Sequence, residues 1–447
     1  MAHELNVYLH KQPVGTLSLV DGRLSFQYAP DALASPTFMP LSQSLPGQLE
    51  PFDDRQTRPF FAGLLPEGRM RQLIAKQAHV SSQNEYGLLE FVGGECAGAV
   101  SLTPGDLPIH TADEDNVRWL TEAQLAAVID ELPKRPMLAG SEGLRLSLAG
   151  AQDKLPVVYD GSRVGLPLNG SPSTHILKPP IREVADSVTN EAFCLRLAKA
   201  MNIPVAHSSI IHVGHHSALL VERYDRAIGN DGQIQRIHQE DFCQALGVIS
   251  ELKYQNEGGP GFAQSFELLR TSSRPSASHV LNLLGYAVFN ALVGNHDAHG
   301  KNFSLLYRGD NPSLAPLYDV VSTAVYPELT DKMAMKLGGK YKFSEVMERH
   351  WDRFSDANGL GLAQVRKRVR DMATKLPDAA KQLASQSPEF SKNQIVDRIL
   401  DIVDRRSALT LERLPTNAQR LAEGIRQHEE ANQSTATAPA SKPPKMG

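Results

Sequence analysis

The chain has 447 residues, 41% of them hydrophobic, and a formal net charge of −4 at pH 7. This length predicts a globular protein of two or three domains, and the charge excludes nucleic-acid binding through bulk electrostatics unless a local patch or a partner supplies a positive field. No apolar run reaches the ~18 residues of a spanning helix, the start has no signal-peptide core, and the cysteines Cys96, Cys194 and Cys243 show no zinc or disulfide spacing. We therefore expect a cytoplasmic protein without membrane contact.

The first part of the chain begins with a strand pattern and continues with helices. Apolar and polar residues alternate over residues 5–30 and turn at Asp21-Gly22, which predicts antiparallel strands. Helical spacing follows in residues 58–78, with a break at Pro66-Glu67-Gly68, and in residues 121–132. A small β-rich module is therefore expected at the front.

Strands return from Leu155. Residues 155–168 predict a hairpin around Asp160-Gly161. Beyond it, the patterns predict a strand at 174–180, a helix at 188–201 and two more strands at 203–213 and 217–225. These elements form a lobe of mainly antiparallel sheet with one helix.

Helical spacing dominates after Arg226. Six segments carry it, namely residues 239–246, 262–269, 278–293, 361–376, 393–406 and 416–430. Only "FSLLY" (303–307) and "APLYDVVS" (315–322) are typical of strands in this half. The sequence thus predicts an α+β fold of two lobes joined near Glu222–Arg226, with a ligand cleft between them.

The segment "GNHDAHGKNF", residues 294–303, crowds charged and amide side chains after an apolar helix. Asp297 and Asn302 have the D-x-x-x-x-N spacing of a kinase catalytic loop, in which the acid accepts a hydroxyl proton and the amide oxygen binds magnesium. Alone, this spacing favours a solvated turn that caps the strand "FSLLY". Asp319 in "PLYDVVS" supplies the second acid that a metal–nucleotide site needs, and this favours the kinase interpretation.

The sheet-rich lobe offers a lysine for phosphates. Lys178 ends an apolar strand, where an unpaired charge is costly, and Glu191 in the next helix is the first candidate for its partner. The alternative is a lysine that ends an edge strand with its ammonium in water.

A loop that could cover phosphates precedes this strand. In "SLAGAQDK" the small residues Ala149, Gly150 and Ala151 let backbone N–H groups approach an anion, and Lys154 adds a charge. The alternative for this loop is a plain turn. In another segment, "LLVERYDR", Glu222 and Tyr224 could hold a purine between the lobes. The alternative for that segment is the end of an amphipathic strand.

Taken together and in order, these segments resemble the HipA family of serine/threonine kinase toxins. The resemblance is carried by "SLAGAQDK", "THILKPP", "NEAFCLRLAKAMNIPVA", "LVERYDR", "QEDFCQALG", "YQNEGGPG", "GNHDAHGKNFS" and "PLYDVVS", and in the leading part by "YAPDALASP", "PLSQSLP", "FFAGLLPEG" and "GECAGAV". It implies a bilobal fold similar to eukaryotic-like and lipid kinases, Mg2+ and ATP as cofactors, and a toxin–antitoxin context.

The resemblance assigns roles to individual residues. It implies that Asp297 is the catalytic base, that Asn302 and Asp319 bind Mg2+, that Lys178 binds ATP phosphates and that Ser147 is an autophosphorylation site. Further nucleotide contacts are implied for Ala149, Gly150, Ala151, Gln152, Lys154, Glu222, Tyr224 and His299. Two positions depart from the family pattern, because His296 stands where threonine is common and Gly300 replaces another small residue.

The resemblance also implies an organisation and partners. We expect a leading β-rich subdomain at 1–110, the rest of the N-lobe at 111–225, a helical C-lobe at 226–433 and a disordered tail at 434–447. The expected partners are a HipB-type helix-turn-helix antitoxin, operator DNA bound mainly through it, and a translation-related substrate such as an aminoacyl-tRNA synthetase, whose phosphorylation arrests growth.

Two other functions compete with this expectation. A metal-dependent hydrolase would use His296, Asp297 and His299, with the histidines at 212, 215 and 216, although H-D-x-H lacks the helical i, i+4 spacing of H-E-x-x-H. A catalytically weak kinase shell acting as a co-repressor would not need the acids and the lysine that the sequence retains.

Overall fold

A computed structural model describes residues 3–105, 116–230, 232–309 and 311–416. Its strands are β1 His3–Leu9, β2 Gln12–Val20, β3 Arg23–Tyr28, β4 Val100–Pro104, β5 Val117–Trp119, β6 Leu155–Tyr159, β7 Val164–Pro167, β8 His175–Lys178, β9 Ser208–Val213, β10 His216–Glu222, β11 Arg226–Ile228, β12 Ile234–Arg236, β13 His238–Asp241, β14 Ser304–Arg308, β15 Asn311–Leu314, β16 Lys332–Leu337 and β17 Lys340–Lys342. Its helices are α1 Pro30–Leu33, α2 Asp54–Gly63, α3 Gly68–Gln77, α4 Glu85–Val92, α5 Glu122–Glu131, α6 Ser187–Ala200, α7 Phe242–Ala245, α8 Phe262–Ser272, α9 Ala277–Val293, α10 Glu348–Ala357, α11 Leu362–Gln386 and α12 Gln394–Arg413.

The leading module is an antiparallel sheet with helices packed beside it. Its strands have the order β3-β2-β1-β4, and Asp21 and Gly22, both at positive φ, make the predicted turn between β2 and β3. Helix α2 ends at Gly63 and helix α3 begins at Gly68, so the predicted break at Pro66-Glu67-Gly68 lies between them. Large apolar side chains such as Phe26, Phe60 and Phe61 fill this core.

A second sheet of six strands forms the N-lobe, in the order β5-β7-β6-β8-β10-β9. The predicted hairpin at Asp160-Gly161 is confirmed as β6–β7. Strand β8 pairs with both β6 and β10, so Lys178 ends an inner strand and is only 6% exposed. The edge-strand alternative for this lysine is therefore wrong.

Helices dominate the C-lobe, and four of the six predicted helical segments are α8, α9, α11 and α12. The segment 239–246 is only half helical, because its first residues form β13 beside β14 and the helix begins after the N-cap Asp241. The predicted helix at 416–430 and the tail at 434–447 lie outside the described residues, apart from Thr416. No helix in the described ranges is long and apolar enough to cross a membrane.

The segment 315–322 does not form the predicted strand. Leu317 makes a single bridge with Val205, and Asp319 adopts a left-handed conformation with φ of 56°, which a continuous strand cannot include. Conversely, β11, β12, β15, β16, β17 and α10 were not predicted. The five strands have six residues or fewer, so they give little local periodicity. Helix α10 is amphipathic, with Trp351 and Phe354 buried on one face, and its spacing was not among the predicted segments.

Buried charges join the leading module to the N-lobe. Glu95 is fully buried and accepts hydrogen bonds from Arg223 and Arg226, the latter at 2.6 Å, while Asp225 also pairs with Arg223 at 2.7 Å. Burial alone would raise the pKa of Glu95, but the two guanidinium groups outweigh it and lower that pKa. The predicted boundary at 110/111 falls in undescribed residues and stays a prediction.

We expect Glu95→Gln to destabilise the protein by about 3–5 kcal/mol, because it leaves two buried guanidinium groups, those of Arg223 and Arg226, with Asp225 as their one remaining carboxylate partner among the described residues. Urea unfolding followed by circular dichroism measures this free energy. The control is Glu345→Gln, which removes a surface partner of Lys340 and should leave the unfolding midpoint nearly unchanged. Equal midpoints for both variants would contradict the role given to this buried network.

Candidate active site

A cleft of about 800 Å³ separates the two lobes. It brings together most of the residues singled out in the sequence, including loop 147–154, the end of β8, the connector between the lobes, loop 294–303 and Asp319. Among the residues expected to bind or react with the nucleotide, Ser147 does not line the cleft. The structure therefore places most of the predicted site residues in one cleft.

Loop 294–303 begins where helix α9 is forced to end. Gly294 caps the helix at φ of 79°, and a side chain there would meet Ala324 at 2.6 Å, so glycine is required. Three residues later, Asp297 lies in the cleft, surrounded by protein yet reached by solvent through the mouth. This partial desolvation raises the pKa of its carboxyl, against the hydrogen bond from Tyr254, which lowers it.

Lys178 lies between two carboxylates. Its ammonium is 2.7 Å from Glu191 Oε1 and 2.7 Å from Asp319 Oδ1. Burial would lower the pKa of Lys178, but the two acids outweigh burial and raise it, so the lysine stays charged. Glu191, buried on helix α6, is therefore the partner that the sequence suggested without a motif.

Asp319 and Asn302 form a pair of oxygen donors beside this lysine. Asn302 Nδ2 donates to Asp319 Oδ2 at 3.1 Å, while Asn302 Oδ1 is buried and has no hydrogen-bond partner among the described residues. Burial raises the pKa of Asp319, yet Lys178 and Lys154 hold it well below its usual range. A carboxylate and a free amide oxygen are the hard donors that Mg2+ takes, so the residues present fit such an ion.

Loop 147–154 lies against the leading module on one side and the cleft on the other. Ser147 is completely buried, and its Oγ donates to Leu64 O at 2.8 Å. Gly150, at φ of 111°, accepts at its carbonyl from Glu67 N at 3.0 Å. Lys154 Nζ donates to Ala149 O at 2.6 Å, and burial lowers the pKa of Lys154 to about 8.

The other predicted nucleotide contacts differ in how they face the cleft. Tyr224 lies in the cleft wall beside Tyr318, with ring centroids 5.5 Å apart, and Gln152 reaches Pro179 O at 3.4 Å. Glu222 contributes to the lining, but its exposed carboxylate lies 3.3 Å from His207. Among the described residues, the carboxylate of Glu222 therefore contacts His207 and not another residue of the cleft wall.

Two family models match the chain. The model described as HipA N-terminal domain matches residues 5–103, and the HipA-like C-terminal domain matches residues 146–380, which is more than half of the chain. The chain belongs to the HipA family. The predicted resemblance is thereby confirmed.

Other HipA-family proteins match along most of their length. "Putative kinase Y4mE" of Sinorhizobium fredii is 44% identical over 91% of this chain and 98% of its own. The serine/threonine-protein kinase toxin HipA of Shewanella oneidensis is 29% identical over 84% of this chain and 90% of its own. A solved complex of Shewanella oneidensis HipA, HipB and operator DNA matches with a TM-score of 0.79 at 27% identity, covering 92% of this chain and 97% of that one. The α+β, bilobal, kinase-like fold is thus confirmed.

The histidines of this HipA-family chain do not form the predicted hydrolase site. His296 Nδ1 donates to Thr330 O at 2.9 Å, and its Nε2 accepts from Arg406 at 2.7 Å, so both nitrogens are used. Burial and Arg406 lower the pKa of His296 to about 4. Within the described residues, the one group with ligand atoms within 4.8 Å of one another is Asp130, His215 and His216, and it does not line the cleft.

His299 also stays neutral in this cleft. Burial and Lys253 lower its pKa to about 3, and its ring packs edge-on against Tyr254 with centroids 5.1 Å apart. Its Nδ1 is buried without a hydrogen-bond partner in the described part of the chain. His299 lines the cleft. Its expected contact with a nucleotide stays a prediction.

Sequence reasoning missed several cleft residues. Lys301 is buried and paired with Asp241 at 2.8 Å, and Glu67 of the leading module pairs with Lys253 at 2.7 Å. Tyr254 donates to Asp297 at 2.6 Å. The available signal was the segment "YQNEGGPG", which was recognised as similar to the family without a role for any of its residues.

We expect that neither His296→Gln nor His299→Gln lowers the metal content of the purified protein. Both nitrogens of His296 are already hydrogen-bonded, and in the described part of the chain His299 does not belong to any group of three potential ligand residues close enough to hold a metal ion. Elemental analysis of zinc is the measurement, with His215→Gln as the control for adventitious metal at the exposed group. A stoichiometric zinc that disappears in the cleft variants would favour the hydrolase instead.

Proposed function

We propose that this chain is an ATP- and Mg2+-dependent serine/threonine protein kinase and the toxin of a bacterial type II toxin–antitoxin system. The observation that carries the proposal is the convergence, in one cleft, of Lys178 paired with Glu191, of Asp319 beside Asn302, and of Asp297. These are the groups that phosphoryl transfer from a nucleotide requires.

Each of these side chains has a separate task in the proposed reaction. Lys178, oriented by Glu191, binds phosphate oxygens of ATP, while Asp319 and Asn302 would hold Mg2+. The bound ion would neutralise the charge that develops on the phosphates. Asp297 accepts the proton of the acceptor hydroxyl as this oxygen attacks the γ-phosphorus and the bond to the β-phosphate oxygen breaks.

The other lining residues serve nucleotide binding in this proposal. Backbone N–H groups of Ala149, Gly150 and Ala151, with Gln152 and Lys154, face the phosphates, and Tyr224 packs against the adenine. The backbone at Glu222, rather than its carboxylate, supplies contacts between the lobes. His299 lies close to the nucleotide as a neutral side chain.

The proposed partners follow from the family. The solved complex that this chain resembles contains a HipB protein and operator DNA, which supports a HipB-type helix-turn-helix antitoxin here. A net charge of −4 favours contact with DNA through that antitoxin rather than through this chain alone. The proposed substrate is a translation-related protein, such as an aminoacyl-tRNA synthetase, whose phosphorylation arrests growth.

We expect Asp297→Asn to lower phosphoryl transfer by about 10²–10⁴-fold, since the amide is nearly isosteric with the acid but cannot accept a proton. The assay follows labelled γ-phosphate from Mg-ATP to protein in a bacterial extract, and mapping of the phosphosites identifies the substrate. Growth after induction of each variant in cells measures toxicity.

Binding of Mg-ATP by the Asp297→Asn variant is the control, because the phosphate and metal ligands are untouched and affinity should be retained. Transfer at the wild-type rate by this variant would overturn the assignment of Asp297. Wild-type protein that binds Mg-ATP and a HipB-type partner but transfers no phosphate would favour the co-repressor.

We further propose that Ser147 is autophosphorylated and that the modification switches the kinase off. In the structure its Oγ points at Leu64 O, and its backbone N donates to Glu95 O at 2.9 Å. Loop 147–154 must therefore leave this position before Ser147 can reach a cleft. A phosphate of about −1.5 to −2 charges could not return to a buried site that faces a carbonyl oxygen, so the cradle for ATP would stay dismantled.

Because Ser147 does not line its own cleft, the reaction is expected between molecules. Active protein should phosphorylate the Asp297→Asn variant at Ser147 but should transfer no phosphate to that position in a double variant that also carries Ser147→Ala. Mass spectrometry locates the phosphate, and ATP titration should show weak binding by the modified fraction. A phosphate elsewhere, or undiminished ATP binding, would refute the switch while leaving the kinase proposal intact.

A further inference from the structure

The carboxylate of Asp297 has one oxygen engaged and one oxygen free. The phenol of Tyr254 donates to Oδ1 at 2.6 Å, whereas no described residue donates to Oδ2. The Asp297 backbone is fixed separately, because its N–H donates to Asn295 Oδ1 at 3.0 Å. Tyr254 is thus the side chain that determines how the Asp297 carboxyl group is turned.

Tyr254 is itself held by a tight turn. Its carbonyl accepts hydrogen bonds from Glu257 N at 3.0 Å and from Gly259 N at 2.9 Å. A side chain at Gly259 would meet Leu252 O at 2.1 Å, so the turn closes only with glycine there. This requirement accounts for part of the segment "YQNEGGPG".

Contacts with two other parts of the molecule, loop 294–303 and the leading module, fix the direction of this turn. Lys253 O accepts from Gly300 N of loop 294–303 at 3.4 Å, and Lys253 Nζ pairs with Glu67 of the leading module at 2.7 Å. The Tyr254 ring packs edge-on against His299, with an interplanar angle of 87°. The phenol therefore belongs to a supported framework and its position does not depend on Asp297 alone.

We propose that Tyr254 is a positioning residue for phosphoryl transfer, which holds Oδ1 of Asp297 so that Oδ2 faces the acceptor hydroxyl. This inference rests on the proposed kinase function. The carboxylate needs only one oxygen to accept the proton, and an oxygen aimed within hydrogen-bond reach of the hydroxyl is the geometry that a general base requires. The phenol keeps its own proton throughout.

The electrostatics agree with this assignment. Burial, followed by the charge of Asp297, raises the pKa of Tyr254, so the phenol stays a donor. The charged groups that act on Asp297 are Lys253, which lowers its pKa, and Asp319 and Glu67, which raise it together with burial. The hydrogen bond from Tyr254 opposes burial and keeps more of the base ionised at a given pH.

In a contrary interpretation, Tyr254 is a plug, meaning that it blocks the position of the acceptor hydroxyl. Its hydroxyl would then occupy the place of the acceptor hydroxyl and would have to leave before each turnover. The turn at Gly259 and the pairing of Lys253 with Glu67 favour a tyrosine that stays in place during the reaction. Removal of the hydroxyl should lower kcat if Tyr254 positions Asp297 and should raise kcat if Tyr254 blocks the acceptor site.

The test is Tyr254→Phe, assayed by the initial rate of labelled phosphate transfer from Mg-ATP to proteins of a bacterial extract at fixed concentration, with ATP and pH varied. We expect kcat to fall by about 10–100-fold while KM for ATP and the Kd of Mg-ATP stay within twofold of wild type. The acid limb of the pH profile should shift to higher pH, because the carboxyl loses the donor that lowered its pKa. Tyr159→Phe, which removes a hydroxyl bonded to Gly161 O on the exposed hairpin β6–β7, should change neither quantity.

An unchanged or increased kcat for Tyr254→Phe, or an unmoved acid limb, overturns the positioning role and leaves the kinase proposal standing. A rise in kcat identifies the plug. Loss of Mg-ATP binding together with kcat shows a merely structural role and also overturns the inference. Wild-type protein without any transfer overturns both proposals.

Discussion

The ammonium group of Lys178 joins the two lobes electrostatically at the cleft. It ends a central strand of the N-lobe, pairs with Glu191 on helix α6 and reaches Asp319 of the C-lobe, both at 2.7 Å. A cation that is only 6% exposed tolerates its burial because both acids face it. Helix α6 and the segment after β15 each bring one carboxylate to the end of strand β8, where Lys178 lies. The cleft lies beside this contact.

The same contact explains how a ligand would act on the protein. In the proposed complex, phosphate oxygens would face Lys178 and a metal ion would be held by Asp319 and Asn302, so the direct pairing of Lys178 with Asp319 would be exchanged for contacts with ligands of opposite charge.

The sequence was a good guide wherever the signal was local. The alternating strands of the leading module, the hairpin at Asp160-Gly161 and the long C-lobe helices were predicted because their apolar periodicity covers many residues. The segment 315–322, which contains Asp319, was expected to form a strand. Instead, Asp319 lies in a left-handed conformation at φ of 56°, and Leu317 of this segment makes a single bridge to Val205.

The candidate site divides in the same way. Asp297, Asn302 and Lys178 could be found because their spacing or their apolar setting is unusual within a few residues. Tyr254 and Glu67 were not assigned a role, because Tyr254 was noticed only as part of a family-like segment and Glu67 only as part of a helix break. The partner of each lies far along the chain, 43 residues away in the first case and 186 in the second. Long-range pairs of this kind leave no local pattern to read.

Loop 147–154 is hydrogen-bonded to the leading module at three places: Ser147 donates through Oγ to Leu64 O and through its backbone N–H to Glu95 O, and Gly150 O accepts from Glu67 N. The border between the two matched families, which falls between residues 103 and 146, is therefore not the border of the working unit. A fragment that began at the second family would keep every acid and lysine assigned to the chemistry. It would lack the residues of the leading module to which its own phosphate loop is hydrogen-bonded.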